Sequence, residues 1–478
     1  MTRYADIWSR RYDFLSTHEK RSNFTGSLGF VLAAAGSAVG LGNIWRFPYL
    51  AAKGGGGVFI FVYIILALTF GFTLLTTEIA IGRKTAQGPL TAYGKINKNW
   101  RFIGFFAWLV PIIILPYYCT IGGWVLKYFA EFLTGHGTDT AADGYFTGYI
   151  TSQWAPLIWM LIFLAATAFV VFNGVNKGIE NYSKILMPIL FVLVIGIGFY
   201  SLTLKHTDAE GITRTGMEGL KVYLIPDFSG MTVKQFFIVL MDAMGQLFFS
   251  ISVAMGIMIA YGSYAKKETN LMKSINQIEF FDTLVALLAG LMIIPAVYTF
   301  AGLEGMSAGP GLMFVSLPKV FEAMGTMGGL IGILFFLMVI FAAVTSAVSV
   351  MEAIVSSIMD KFRYSRKKST AITTVYTLIF GTLVCLGYNK LYFELELPNG
   401  AVGQILDIMD YLSNNIFMPL VALCTCILIG WVAKPDTVID EVTIGGYKFG
   451  RKALYIAMIK YIAPVLLFIL LVQSFGVF

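Results

Sequence analysis

The chain has 478 residues, 57% hydrophobic and 13% charged, with a mean hydropathy of +0.76 and a formal net charge of +7. Soluble domains carry about 25% charged residues, so this composition excludes a string of soluble domains and implies one polytopic membrane bundle. Cys119, Cys385, Cys424 and Cys426 all lie in apolar runs, and His18, His136 and His206 lie outside them. That pattern excludes a disulfide framework, a His-based zinc site and an HExxH motif.

Eleven apolar stretches meet the ~20-residue spanning criterion. They are 28–50, 57–82, 100–134, 156–172, 180–204, 232–265, 273–300, 328–362, 370–388, 399–432 and 454–476. The first 27 residues are polar and charged, so no cleavable signal peptide is expected. With the N-terminus inside, 24 of the 34 Lys and Arg residues fall on the cytoplasmic side. The positive-inside bias therefore orients the chain, with the C-terminus outside, and removes nucleic acid as the reason for the charge. The expected organisation is a cytoplasmic tail (1–27), a first five-span repeat (28–204) and an outer loop (205–231). A second repeat (232–432) and a cytoplasmic loop with the eleventh span (433–478) follow.

The first span misbehaves. In AAGSAVGLGNIWRFPY (34–49), Gly36, Gly40 and Gly42 interrupt an apolar helix, and Asn43, Arg46 and Pro48 follow. Each Gly costs a helix interior about 0.5–1 kcal/mol relative to Ala, and Pro lacks the amide. Close helix packing explains the glycines alone equally well. The run GLGNIWRFP tips the reading toward a broken helix, which membrane tolerates only where it is buried in protein or lines a cavity. Freed carbonyls of Gly36, Ala38 and Val39 suit a small cation, and freed amides near Leu41 and Gly42 suit a carboxylate.

Further along, Glu78 lies near the end of the second span, and Tyr117 and Tyr118 sit too deep in the third to be interfacial. The sixth span carries a second interruption in QLFFSISVAMGIMIAYGSY (246–264), around Ser250, Ser252 and Gly256. Breaks five spans apart predict an inverted repeat with the site between its halves. Glu279 and Asp282 open the seventh span, Asp282 being the deeper. The Gly/Pro-broken apolar segment 307–321 reads as a re-entrant cap. In the eighth span Ala342, Thr345, Ser346, Ser349, Glu352 and Ser356 share one helical face, which predicts a face toward the bundle interior. Asp410 is the acid of the tenth span.

These residues resemble the neurotransmitter:sodium symporter family, in particular its bacterial amino-acid transporters. GSAVGLGNIWRFPY with GGGGVFIFVY carries the resemblance, and LPYYCTIGGW, GQLFFSIS, FVSLPKVF and AAVTSAVSVMEA support it in order. The resemblance implies an all-α LeuT-type fold: two inverted five-helix repeats plus one extra helix, with spans one and six unwound mid-membrane. It implies a plasma-membrane symporter that imports a neutral, hydrophobic amino acid with sodium by alternating access. One sodium would be held by carbonyls of Gly36, Val39 and Ala342 and hydroxyls of Thr345 and Ser346. The other would use the Ala38 carbonyl, Asn43, Ser250, the substrate carboxylate and a residue of span seven, taken as Asp282. That carboxylate would also meet the Leu41 and Gly42 amides and the Tyr118 hydroxyl. The side-chain pocket would comprise Ser37, Ala38, Ile114, Phe249, Ser252, Ala254, Met255, Ser346 and Val350. Arg46 with Asp410 would form the outer gate, and Arg21 with Asp360, near Tyr264, the inner one. Animal members of the family usually need chloride; here Asp282 is expected to supply that negative charge, so no chloride is expected.

Three departures accompany the resemblance. Ala254 stands where many bacterial members have Gly, Ser37 replaces an Asn often found there, and the twelfth span of most animal members is missing. An ion channel would need a continuous polar path, and an intramembrane enzyme a nucleophile with its base. Neither pattern is present in the sequence. A substrate-sensing receptor on the same fold, or a transporter of another small zwitterion, is the alternative.

Overall fold

The computed structural model describes residues 23–208, 210–228, 231–306 and 309–476. Ten helices are long and apolar enough to cross a membrane, and a bent pair makes an eleventh. In order they are Ser27–Ala38 with Gly42–Lys53, Gly57–Thr85, Lys98–Leu133, Ala155–Phe172, Val175–Leu202, Val233–Ser250, Leu271–Ala301, Thr326–Phe362, Arg366–Leu386, Ile405–Val432 and Lys452–Gln473. Every expected span is there. The seventh begins earlier than expected, at Leu271, where the Asn270 side chain accepts from the Lys273 amide. Asp282 thus lies three turns inside the helix and does not cap it.

The two broken spans sit at the centre. The first bends by 54° between Ala38 and Gly42. The Val39 backbone (ψ 87°) leaves the helix, and a wide turn, Gly42–Arg46, restarts it. Such π-type turns recur at functional sites. The sixth span stops at Ser250 and resumes as the helix Ile257–Gly262. In between, Ser252 (φ 54°), Ala254 (φ 61°) and Gly256 (φ 72°) are left-handed. That conformation is free to glycine but strains the other two.

The resumed half of span six is pressed against span two. A side-chain carbon at Gly82 would stand 2.1 Å from the Ile259 carbonyl oxygen, and one at Gly262 would stand 2.4 Å from that of Ile79. Only hydrogen at both positions lets the backbones meet.

The face on which the first span begins carries most of the cationic residues and is called the basic face below. There the segment 433–451 folds back on the bundle. Arg451 makes a bidentate pair with Glu279 (3.0 and 2.6 Å), and buried Arg83 pairs with Glu441 at 2.8 Å. On the opposite face the expected re-entrant cap forms short helices, Leu312–Ser316 and Leu317–Ala323, from residue 309 onward. The Tyr128 hydroxyl ties it down by donating to the Phe314 carbonyl at 2.9 Å. Loop 205–231 contains a hairpin, Lys205–Thr207 against Thr213–Thr215, and the helix Gly216–Leu224.

Candidate functional site between the two broken spans

Asp282 is fully buried, and three elements converge on it. Its Oδ1 accepts from Asn43 Nδ2 of the first span at 3.0 Å and from Ser250 Oγ of the sixth at 2.6 Å. Ser250 Oγ also lies 3.3 Å from Asn43 Oδ1, and the Tyr63 hydroxyl donates to Ser250 at 3.2 Å. Among the described residues, the other carboxylate oxygen, Oδ2, is buried without a hydrogen-bond partner, as is Oε1 of Gln246, whose Nε2 donates to the Gly42 carbonyl at 3.1 Å. A buried carboxylate oxygen left unpartnered is costly. A hard monovalent cation beside it would satisfy it, and Asn43 Oδ1 and Ser250 Oγ are further oxygens of the same cluster. Tyr63 and Gln246 had no part in the expected ligand set. Both nevertheless fall inside the stretches GGGGVFIFVY and GQLFFSIS that carried the resemblance.

A second oxygen cluster lies across the first span. Ser346 Oγ donates to the Ser37 carbonyl at 3.0 Å and contacts the Val39 carbonyl at 3.4 Å. Thr345 Oγ1 lies 2.9 Å from the Phe341 carbonyl and 3.1 Å from that of Ala342. A carbon added at Gly36 would lie 3.4 Å from Thr345 Cβ, so the first span passes directly over this hydroxyl. Gly36, Val39, Ala342, Thr345 and Ser346 are thus neighbours. The polar face of the eighth span points inward as expected: Ser349 meets the Tyr261 hydroxyl at 2.7 Å, and Glu352 and Ser356 are fully buried.

Between the clusters is a cavity of about 20 Å³, lined by residues that include Ser37, Ala38, Ile114, Tyr118, Phe249, Ser252, Met255, Ser346 and Val350. That is room for about one water, so the pocket is drawn shut around Phe249 and Tyr118. Gly40 and Ile257, not expected, complete the lining. Ala254, expected there, is not part of it: its amide donates 2.6 Å to Glu78 Oε1, which turns this residue toward the second span. Leu41 and Gly42 are likewise outside the lining. The Leu41 amide donates to the Tyr118 hydroxyl at 3.4 Å, and Gly42 lies against the Phe249 ring.

Phe249 and Tyr118 also floor a cavity of about 560 Å³ that leads to the face opposite the basic one. Arg46 and Asp410 line it. No ion pair within 4.0 Å joins them; Asp410 Oδ1 instead accepts from the Tyr117 hydroxyl at 3.1 Å and Asn414 Nδ2 at 2.6 Å. On the basic face, Tyr264 donates to Glu352 at 2.5 Å, and Arg366 pairs with the same carboxylate at 2.6 and 2.9 Å. Asp360 Oδ2 accepts from the Gly88 amide at 2.5 Å. Arg21, expected to meet Asp360, lies outside the described residues. The Glu352–Arg366 pair went unnoticed in the sequence because its members belong to different spans.

Eleven spans and two facing helix breaks lined with carbonyl and hydroxyl oxygens define a membrane transporter. The chain belongs to the sodium:neurotransmitter symporter family, whose model matches residues 21–143 and 148–478. It is similar to uncharacterized sodium-dependent transporters of Haemophilus influenzae (30% identical, covering 96% of this chain and 99% of that one) and Bacillus subtilis (33%, with the same coverages). It is 26% identical to the human sodium- and chloride-dependent GABA transporter 2, over 88% of this chain and 75% of that one. Its fold matches the crystal structure of MhsT in complex with L-phenylalanine, with a TM-score of 0.83, 34% identity, and coverage of 95% of this chain and 100% of that one. The protein is thus a sodium-dependent transporter with the LeuT-type fold.

Proposed function

We propose that this transporter imports a neutral, apolar amino acid together with sodium, by alternating access and without chloride. The carrying observation is the buried Asp282 carboxylate, with one oxygen bonded to Asn43 and Ser250 and the other unpartnered. A zwitterion brings no net charge, so two sodium ions entering a low-dielectric site need a nearby negative charge. At an effective ε of 20 such a charge is worth about 4 kcal/mol at 4 Å. The first sodium would use Asn43, Ser250, Asp282, the Ala38 carbonyl and the substrate carboxylate. The second would use Gly36, Val39, Ala342, Thr345 and Ser346, the two hydroxyls turning from donors to ligands. The closed pocket contains no acid or base, and Ile114, Met255, Phe249 and Val350 favour an apolar side chain. The phenylalanine bound to MhsT supports this reading.

In this scheme the basic face is cytoplasmic, by the positive-inside rule, and the large cavity is the outer vestibule of a plasma-membrane protein. Arg46 and Asp410 close together when the vestibule shuts, and Arg21 with Asp360 seals the inner side. The test is uptake of labelled phenylalanine, leucine, valine and alanine into proteoliposomes, driven by an inward sodium gradient with gluconate replacing chloride. Sodium-driven accumulation supports the proposal. A requirement for chloride removes the role given to Asp282, and binding without accumulation favours a receptor.

A further inference from the structure

A groove of about 370 Å³ lies on the membrane-facing surface between the fourth and ninth spans, at their basic-face ends. It is lined by Ala168, Phe169 and Phe172 on one side and Thr370, Ala371 and Val375 on the other. The alanines leave the space, while Phe169, Phe172 and Val375 are 59%, 45% and 56% exposed, turned outward to the apolar surroundings. A water needs about 10–15 Å³, so the groove is sized for a hydrocarbon segment.

Its basic-face end is cationic. Lys367 shares a helical face with Ala371 and Thr374, and its ammonium lies 5.5 Å from the centre of the Phe172 ring. Lys177, Arg363 and Lys368 are exposed nearby in the chain. The turn after the fourth span abuts the ninth here, since a carbon at Gly174 would touch Arg366 at 3.7 Å. Arg366 itself is committed to Glu352. The ninth span also begins at this point, capped by Ser365, and the positive end of its dipole faces the same place. Thr370, 2% exposed, forms part of the groove wall, its hydroxyl buried beneath the surface.

We infer that this groove is a binding site for an anionic phospholipid of the leaflet at the basic face. One acyl chain fills the groove, and Lys367 with Lys177 holds the phosphate. Basic pockets between spans suit such headgroups. A second copy docked here about a two-fold axis normal to the membrane would bring two sets of the same cationic side chains to one interface, so charge favours the lipid.

The test uses the full chain in phosphatidylcholine vesicles containing a minor fraction of phosphatidylglycerol, with a trace of either lipid carrying a photoreactive acyl chain. Mass spectrometry locates the crosslinks. The phosphatidylglycerol probe is expected to label 165–172 and 370–375, in competition with unlabelled phosphatidylglycerol but not phosphatidylcholine. Each of Lys367→Gln and Lys177→Gln, exposed and outside the packed core, is expected to lower that labelling about fivefold. Ala371→Trp should abolish it in protein that remains monodisperse. Equal labelling by both probes, or lysine variants that label like the parent, overturns the inference. So does an Ala371→Cys variant that crosslinks into a disulfide dimer in the membrane, because the occupant is then a second copy.

Discussion

Asp282 of the seventh span and Asn43 of the broken first span are joined at 3.0 Å, with Ser250 of the broken sixth span bonded to both. Three elements distant in sequence thus share one hydrogen-bonded unit, and a ligand of any one of them is felt by the others. Asp282→Asn keeps the shape and removes the charge. It is expected to impair sodium-driven uptake in gluconate medium, and Asp282→Ser is expected to make uptake depend on chloride. Normal transport by Asp282→Asn without chloride would dismiss the carboxylate as the resident anion.

The hydroxyls of Thr345 and Ser346 are expected to contribute sodium ligands. Replacing both with Ala should raise the sodium concentration for half-maximal substrate binding by about tenfold or more, the equivalent of one or two lost polar interactions. Scintillation proximity binding with a labelled substrate measures this directly. An unchanged sodium curve would remove the site.

Arg46 and Asp410 both line the vestibule, and Asp410 is bonded to Tyr117 and Asn414 rather than to Arg46. Reversing either charge is expected to slow uptake by about tenfold, corresponding to a coupling of about 1.4 kcal/mol. The double reversal should recover part of that loss. If it is no faster than the single variants, the two do not meet during transport.

Ala254 is strained at φ 61° and lies outside the pocket lining. Ala254→Gly should therefore raise thermal stability by an amount of order 1 kcal/mol, while leaving the ratio of phenylalanine to alanine uptake unchanged. A shift toward larger substrates would return the residue to the pocket wall.

Glu352 is buried with Arg366 and Tyr264 as partners. Glu352→Gln leaves the guanidinium without its counter-charge and is expected to cost about 3–5 kcal/mol, read as a lowered melting temperature in detergent. The Glu352→Met, Arg366→Met double variant should regain much of it.

Much of this architecture was legible in the chain because lipid permits so little. Spans announce themselves by length and hydropathy, and a Gly/Pro-interrupted span must line a cavity, so the breaks at Val39 and near Ser252 were readable. What periodicity could not carry was facing. Ala254 sits one residue from Met255, yet the left-handed backbone around it turns one toward Glu78 and the other into the pocket. Tyr63 and Gln246 read as ordinary residues of apolar helices, and only the assembled bundle brings them to Ser250 and Gly42. The helices Gly216–Leu224 and Asp436–Val442 were missed because they are short and flank charged loops.

The paired glycines Gly82 and Gly262 fasten the second span to the resumed half of the sixth so closely that the two backbones have no lubricating layer of side chains between them. Sliding would drive each glycine off its matching carbonyl and into a neighbouring side chain. These two elements must therefore travel together as one stiff strut. The six residues 251–256, outside both helices of the sixth span, are where its outer half can pivot against that strut.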